Sequence, residues 1–147
     1  MTDAVSARLR RQIVERATAL CEYCLIHQDD MHFTFQVDHI ISRKQRGPTS
    51  AANLALACLR CNVAKGTDVG ALIGRPRRLI RLYHPRQDRW ADHFRLAAAR
   101  IIPLIEIGEA TAQLLDLNAS DRLLLRRVLI KAGRYPTIEA LAYLRGY

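Results

Sequence analysis

The sequence predicts an α+β fold: a strand, loop, strand, helix core built around a four-cysteine metal site. An N-terminal helix and a mostly helical C-terminal extension flank this core. Three observations carry the prediction. Cys21 and Cys24 form one C-x-x-C pair, Cys58 and Cys61 another, and 33 residues lie between Cys24 and Cys58. An aromatic and β-branched run from Phe33 to Ile41 has strand character. The apolar "LALAC" then leads into "RCNVAKG", which reads as a second strand turning into a short helix ended by Gly66.

Each element follows from local pattern. From Val5 to Leu20, the spacing of Leu9, Ile13, Ala17 and Leu20 predicts an amphipathic helix, with Arg8, Arg10, Arg11 and Arg16 over much of its remaining surface. Those arginines read either as a solvated face or as contacts to a polyanion. Between the strands, "SRKQRGPTSAAN" has the Gly-Pro and small polar residues of a loop, made basic by Arg43, Lys44 and Arg46. Beyond Gly74 the composition changes, and "RPRRLIRLYHPRQDRWADHFRL" alternates basic and apolar residues. "ARIIPLIEI" predicts a strand or two. Helices are expected near Glu109 to Leu117 and from Ser120 to Ala132, with Ser120 as N-cap and Gly133 as stop. Thr137 is a candidate cap for a last helix through Leu144. Residues 1–74 are expected to hold the core and 75–147 an extension packed on it, a single domain overall.

Half the residues are apolar, sufficient for one domain with its own core. No stretch approaches the ~20 apolar residues needed to span a bilayer, and the N-terminus lacks the apolar segment of a secretory signal. The expectation is a soluble, intracellular, cytoplasmic protein without a membrane partner. The 23 Lys+Arg outnumber 14 Asp+Glu, a net +9, and only Lys44, Lys65 and Lys131 are lysines. An arginine-dominated excess suits a polyanion, above all nucleic acid, because the guanidinium grips phosphate with two parallel donors.

Four cysteines in two matched pairs, in an intracellular chain, point to metal ligation rather than disulfides. Two tight turns, each offering two sulfurs, complete a tetrahedral zinc site. Zinc held by four thiolates lowers the net charge from +9 to about +7, still basic.

Asp38 and His39 interrupt the apolar strand, and two adjacent polar residues there need a task. Together with Asn53 and Asn62 they are the residue types for metal-assisted phosphodiester hydrolysis. A carboxylate and an amide oxygen suit Mg2+ or Mn2+, and a neutral imidazole takes a proton from water near physiological pH. Taken out of this context, Asp38–His39 reads as a structural ion pair; between the two C-x-x-C pairs and followed by Asn53 and Asn62, it reads as catalytic. Asn62 alone is also readable as a cap after the knuckle, and Lys65 as a solvated charge or a phosphate contact. A second pair, Asp92–His93, lacks the trailing asparagines, and there Trp90, His93 and Phe94 are expected to pack against the core rather than to bind.

The order C-x-x-C, D-H-I, N-L-A-L-A-C, C-N-x-x-K-G resembles the HNH endonucleases that carry a four-cysteine zinc site, within the ββα-metal or His-Me finger group of nucleases. The core resemblance covers Cys21 to Gly66, and "HPRQDRWADHF" with "IGEATAQLLDLN" is similar to the tail of one bacterial branch of these proteins. The resemblance implies His39 as the general base, with Asp38 and Asn62 holding one catalytic Mg2+ or Mn2+. It implies that Asn53 bonds across the loop and orients His39, and that Cys21, Cys24, Cys58 and Cys61 hold structural zinc. Asn62 stands where many relatives have a final histidine, and the loop reads "QRGPTS" where relatives show Gly-Gly. The implied activity is hydrolysis of double-stranded DNA to 5′-phosphate and 3′-hydroxyl ends. Arg43, Lys44, Arg46, Arg60 and Lys65 are candidate nucleic-acid contacts, as is "RPRR" at Arg75 to Arg78. The competing reading is a zinc-stabilised DNA- or RNA-binding module without hydrolytic activity.

Overall fold

The computed structural model describes residues 4–145; the first three and last two residues of the expected domain ranges lie outside them. Contacts divide the chain into two compact units, Met1–Val69 and Gly70–Tyr147.

In the first unit, helix α1 spans Ala7–Arg16, and Ser6 caps it by accepting a hydrogen bond from the Leu9 N–H at 3.1 Å. The helix is shorter than its apolar spacing suggests. Thr18 and Ala19 adopt left-handed backbone (φ 51° and 59°), so Leu20 leaves the helical path and forms an isolated antiparallel bridge with His27. That bridge frames the first knuckle. Strand β1 (Gln36–His39) is shorter than the expected run and pairs antiparallel with β2 (Leu54–Ala57). The register sets Val37 opposite Leu56, Asp38 opposite Ala55 and His39 opposite Leu54. All of β2 is buried, and α2 (Leu59–Lys65) follows one residue later, ended at Gly66 with φ 54°. The strand, strand, helix order is therefore present, with the second knuckle at its corner.

Two arginines of α1 are structural. Arg16 donates to the carbonyls of Ala51 (2.9 Å) and Leu54 (2.6 Å), and Arg10 to that of Phe35 (2.8 Å). These groups tie the helix to β2 and to the segment entering β1. They are neither simply solvated nor presented to a partner.

The second unit contains the expected helices and two antiparallel hairpins. Strands β3 (Gly70–Ile73) and β4 (Arg78–Arg81) form the first hairpin, in the stretch that reads as mixed basic and apolar sequence. The short α3 (Trp90–His93) precedes the second hairpin, β5 (Phe94–Ala97) and β6 (Arg100–Pro103). Helices α4 (Glu106–Leu114), α5 (Ser120–Lys131) and α6 (Leu141–Leu144) complete it. Ser120 is the first helical residue, and Ala119 occupies the N-cap position without a side-chain bond. Gly133 (φ 71°) follows α5, and the Thr137 hydroxyl accepts from the Ala140 N–H ahead of α6. Buried Arg126 donates to the carbonyls of Ala99 and Leu117 at 2.7 and 2.6 Å, satisfying loop oxygens that would otherwise be stranded. Tyr83, Trp90, His93 and Phe94 pack together in the core, as expected for Trp90, His93 and Phe94, while Asp92 is exposed. Among the described residues, no helix is long and apolar enough to cross a membrane.

Candidate metal centre and active site

The four cysteine sulfurs converge. All lie within 4.8 Å of one another, all four residues are buried, and Cys24 Sγ stands 3.7 Å from Cys58 Sγ. A tetrahedron with Zn–S bonds of about 2.3 Å has edges of about 3.8 Å. The set therefore suits one structural zinc ion. Local turns aim the sulfurs: the Cys24 N–H points at Cys21 Sγ (3.5 Å), and the Cys61 N–H at Cys58 Sγ (3.4 Å), where Cys58 also caps α2. Burial pushes the Cys21 and Cys61 thiols well above the ordinary thiol range, and for Cys21 the neighbouring cysteines add to the shift. Clustered thiols gain their thiolate form when a divalent cation takes the place of the protons.

The residues between the first two sulfurs link the knuckle to the sheet. Glu22 is wholly buried; its N–H donates to the Leu56 carbonyl (2.9 Å) and its carboxylate accepts from the Leu56 N–H (2.8 Å). Tyr23 sends its hydroxyl to Asp38 Oδ2 at 2.9 Å.

Asp38 and His39 leave β1 on opposite sides, as adjacent strand residues must. Asp38 is 5% exposed and faces Lys65, which is 1% exposed; Lys65 Nζ lies 3.1 Å from Oδ2 and 3.3 Å from Oδ1. Burial raises the Asp38 pKa, opposed by Lys65 and by the Tyr23 hydroxyl, so the net shift is upward. Lys65 also donates to the His39 carbonyl at 3.0 Å, joining α2 to the end of β1. His39 is half-buried, with Nε2 2.8 Å from the Thr49 hydroxyl.

Asn53 braces the loop between the strands. Its Oδ1 accepts from the Ile41 N–H, and its Nδ2 donates to the carbonyls of Ile41 and Pro48, each at 2.9 Å. Gly47 sits against this brace. A Cβ there would lie 1.7 Å from the Ile41 oxygen and 2.8 Å from Asn53 Nδ2. One glycine thus supplies the close approach that "QRGPTS" needs. Asn62 is half-buried on α2, one turn before Lys65, and its side chain makes no hydrogen bond among the described residues.

Residues 21–68 match the family model for HNH endonucleases.

The matched segment holds both knuckles, β1, the loop, β2 and α2, and its four clustered cysteines fit the zinc-binding variant of the family. The match points to nuclease or nucleic-acid-binding function and covers 48 of 147 residues. No curated protein and no solved structure matches the chain.

Within the HNH segment the expected nucleic-acid contacts separate. Lys44, Arg46 and Arg60 are exposed; Arg43 is exposed with its guanidinium donating to the Gly47 carbonyl at 3.0 Å. Lys65, expected as a nucleic-acid contact, is instead buried. It is turned inward onto Asp38 and so presents no charge to a phosphate in this structure. Sequence reasoning missed Thr49, Tyr23 and Glu22. The only signal for Tyr23 and Glu22 was their place inside "CEYC", where spacing between metal ligands is commonly filled by solvent-facing residues.

Proposed function

We infer that this protein is a metal-dependent endonuclease that hydrolyses phosphodiester bonds of double-stranded DNA. The observation that carries the reading is the half-buried His39, oriented through Nε2 by Thr49, at the end of the first strand of a zinc-scaffolded ββα element. In the tautomer that carries its proton on Nε2, toward Thr49, the lone pair lies on Nδ1. Nδ1 would take a proton from water as the water oxygen bonds to phosphorus and the P–O3′ bond breaks, with the departing O3′ taking up a proton from solvent. The implied ends are a 5′-phosphate and a 3′-hydroxyl.

A carboxylate and an amide oxygen, as Asp38 and Asn62 offer, are the donor types a catalytic Mg2+ or Mn2+ takes. Asp38 Oδ1 accepts only one long bond, 3.3 Å from Lys65, and the Asn62 amide is without a hydrogen-bond partner among the described residues. Two protein oxygens suit an ion that takes waters and a phosphate oxygen in its other positions. When bound, such an ion neutralises charge on the phosphate and on the departing oxygen. Asp38 and Asn62 would hold it. Lys65 opposes the burial that raises the Asp38 pKa and orients the carboxylate, while Asn53 and Gly47 fix the loop that carries Thr49. The exposed Arg43, Lys44, Arg46 and Arg60 would contact the DNA backbone.

The second reading, a zinc-stabilised binding module without hydrolysis, is favoured by one observation: the Asp38 carboxylate is already engaged by Lys65 and Tyr23. Incubating the zinc-loaded protein with supercoiled plasmid separates the two. The nuclease converts plasmid to nicked or linear form with added Mg2+ or Mn2+ and stops when these are omitted. Retarded but intact plasmid under every metal condition establishes the binding module instead.

A further inference from the structure

The charge is unevenly divided. Gly70–Tyr147 contains 14 Lys+Arg and 7 Asp+Glu, a net +7 of the chain's +9. Met1–Val69 contains 9 and 7, a net +2, which four thiolates around one zinc ion reduce to zero. The unit holding the HNH segment thus carries no net positive charge, and its basic residues act only locally. The other unit has almost all of the net charge.

Within Gly70–Tyr147, the β3–β4 hairpin concentrates this charge on an element of suitable shape. Its tip, Gly74 to Arg77, turns through Gly74 at φ 83°. Arg78 is paired with Glu106, and Arg81 with Asp88 at 2.7 Å. Arg75 and Arg77 are exposed and have no acidic partner among the described residues. The ribbon's faces differ. Ala71 and Ile73 are buried, whereas Leu72 and Leu79, directly opposite each other in the register, are 50% and 73% exposed. An exposed leucine pair beside two unpaired arginines is costly to leave in water and is matched to a surface that is anionic at its edge and apolar within.

We propose that the β3–β4 hairpin is the chain's main DNA-binding element, entering a duplex groove as a two-stranded ribbon. Arg75 and Arg77 contact phosphates, and Leu72 and Leu79 lie against the sugar and base edges between them. The B-form major groove, about 12 Å wide, admits a two-stranded ribbon, whereas the deep, narrow major groove of A-form RNA does not. The proposal rests on the reading that DNA is the substrate. It assigns affinity to this hairpin and hydrolysis to His39.

The test is equilibrium binding of the full-length protein to a fluorescent DNA duplex without added Mg2+ or Mn2+, across a salt titration. Arg75→Gln/Arg77→Gln is compared with wild type, with a control Arg8→Gln/Arg11→Gln pair on α1 and with Leu72→Ser/Leu79→Ser. Zinc content and circular dichroism establish that each variant is folded. The proposal expects the hairpin arginine pair to weaken binding about tenfold and to flatten the log–log salt slope by about 1.8, or about 0.9 per phosphate contact. The leucine pair should weaken binding with the slope unchanged, and the α1 pair should have little effect.

Unchanged affinity and slope in the hairpin arginine pair overturn the proposal. So does wild-type protein that binds no DNA, or that prefers an RNA duplex of the same sequence. A leucine variant that alters sedimentation but not DNA binding shows a self-association surface instead and also overturns it. Plasmid cleavage is scored separately. Hairpin-dependent binding without cleavage removes the nuclease and leaves the hairpin, while cleavage with hairpin-independent binding does the reverse.

Discussion

Lys65 Nζ stands 3.1 Å from Asp38 Oδ2, and both side chains are almost wholly buried. The pair joins the helix after the second knuckle to the strand that ends at His39, and Tyr23 adds the first knuckle to the same carboxylate. The first knuckle and the backbone of His39 are therefore linked by one short chain of polar contacts. A buried pair is weak testimony for net stability, but removing one partner strands the other charge.

Lys65→Met should therefore destabilise the protein by about 3–5 kcal/mol. Asp38→Asn/Lys65→Met should recover part of that loss, because no buried charge remains. Denaturant unfolding of the two single variants and the double variant measures the coupling. Additive losses would show that the two residues do not interact.

Asn53→Ala removes three hydrogen bonds at once and leaves Ile41 and Pro48 groups unpaired, so a loss of about 1–3 kcal/mol is expected. Gly47→Ala should be at least as damaging, since its Cβ meets the Ile41 backbone oxygen rather than a flexible side-chain end. Melting temperatures of the two variants check this. A Gly47→Ala protein as stable as wild type would show that the loop does not need the close approach.

Cys58→Ser should lose zinc and the fold together, because Cys58 is both a member of the sulfur cluster and the cap of α2. Elemental analysis should give one zinc per wild-type chain and markedly less in the variant, with loss of cooperative unfolding. Full zinc content in a stably folded Cys58→Ser protein would exclude the four-sulfur site.

In the second unit, burial raises the Asp88 pKa, but bonds from Arg81 and from the His84 N–H outweigh it, so the folded-state value is lowered. A depressed carboxylate contributes stability that is present above its unfolded pKa, about 3.9, and is lost as pH falls through the lower folded value. Asp88→Asn should thus cost about 1–2 kcal/mol at neutral pH, with the difference from wild type vanishing as the medium becomes more acid than pH 4. A gap that stays constant from pH 7 to pH 3 would rule out the charge as its source.

The knuckles and the strand, loop, strand, helix order were legible because each has a local cause: ligand spacing, β-branched residues, a Gly-Pro loop and a glycine stop. Thr18 and Ala19 were not, since nothing in their identity demands a left-handed backbone; the bridge from Leu20 to His27 imposes it. The inward turn of Lys65 was equally hidden. A lysine in the last turn of a short helix reads as solvent-facing until the strand beside it supplies a buried carboxylate. The β3–β4 hairpin escaped for a different reason. Its Ile73 is opposite Arg78 and its Leu72 opposite Leu79, so neither strand shows the apolar-in, polar-out alternation that marks a half-buried strand.

The central claim is that a sulfur-held scaffold brings His39 to bear on a phosphodiester. Its most direct test is the single-turnover cleavage rate of a DNA duplex in Mg2+, comparing wild type with His39→Ala at equal zinc content and equal DNA occupancy. The account predicts metal-dependent cleavage by wild type and a rate about 10²–10⁴-fold lower in the variant, the span expected for loss of a general base. Equal rates in the two proteins, or no cleavage by either, would contradict it.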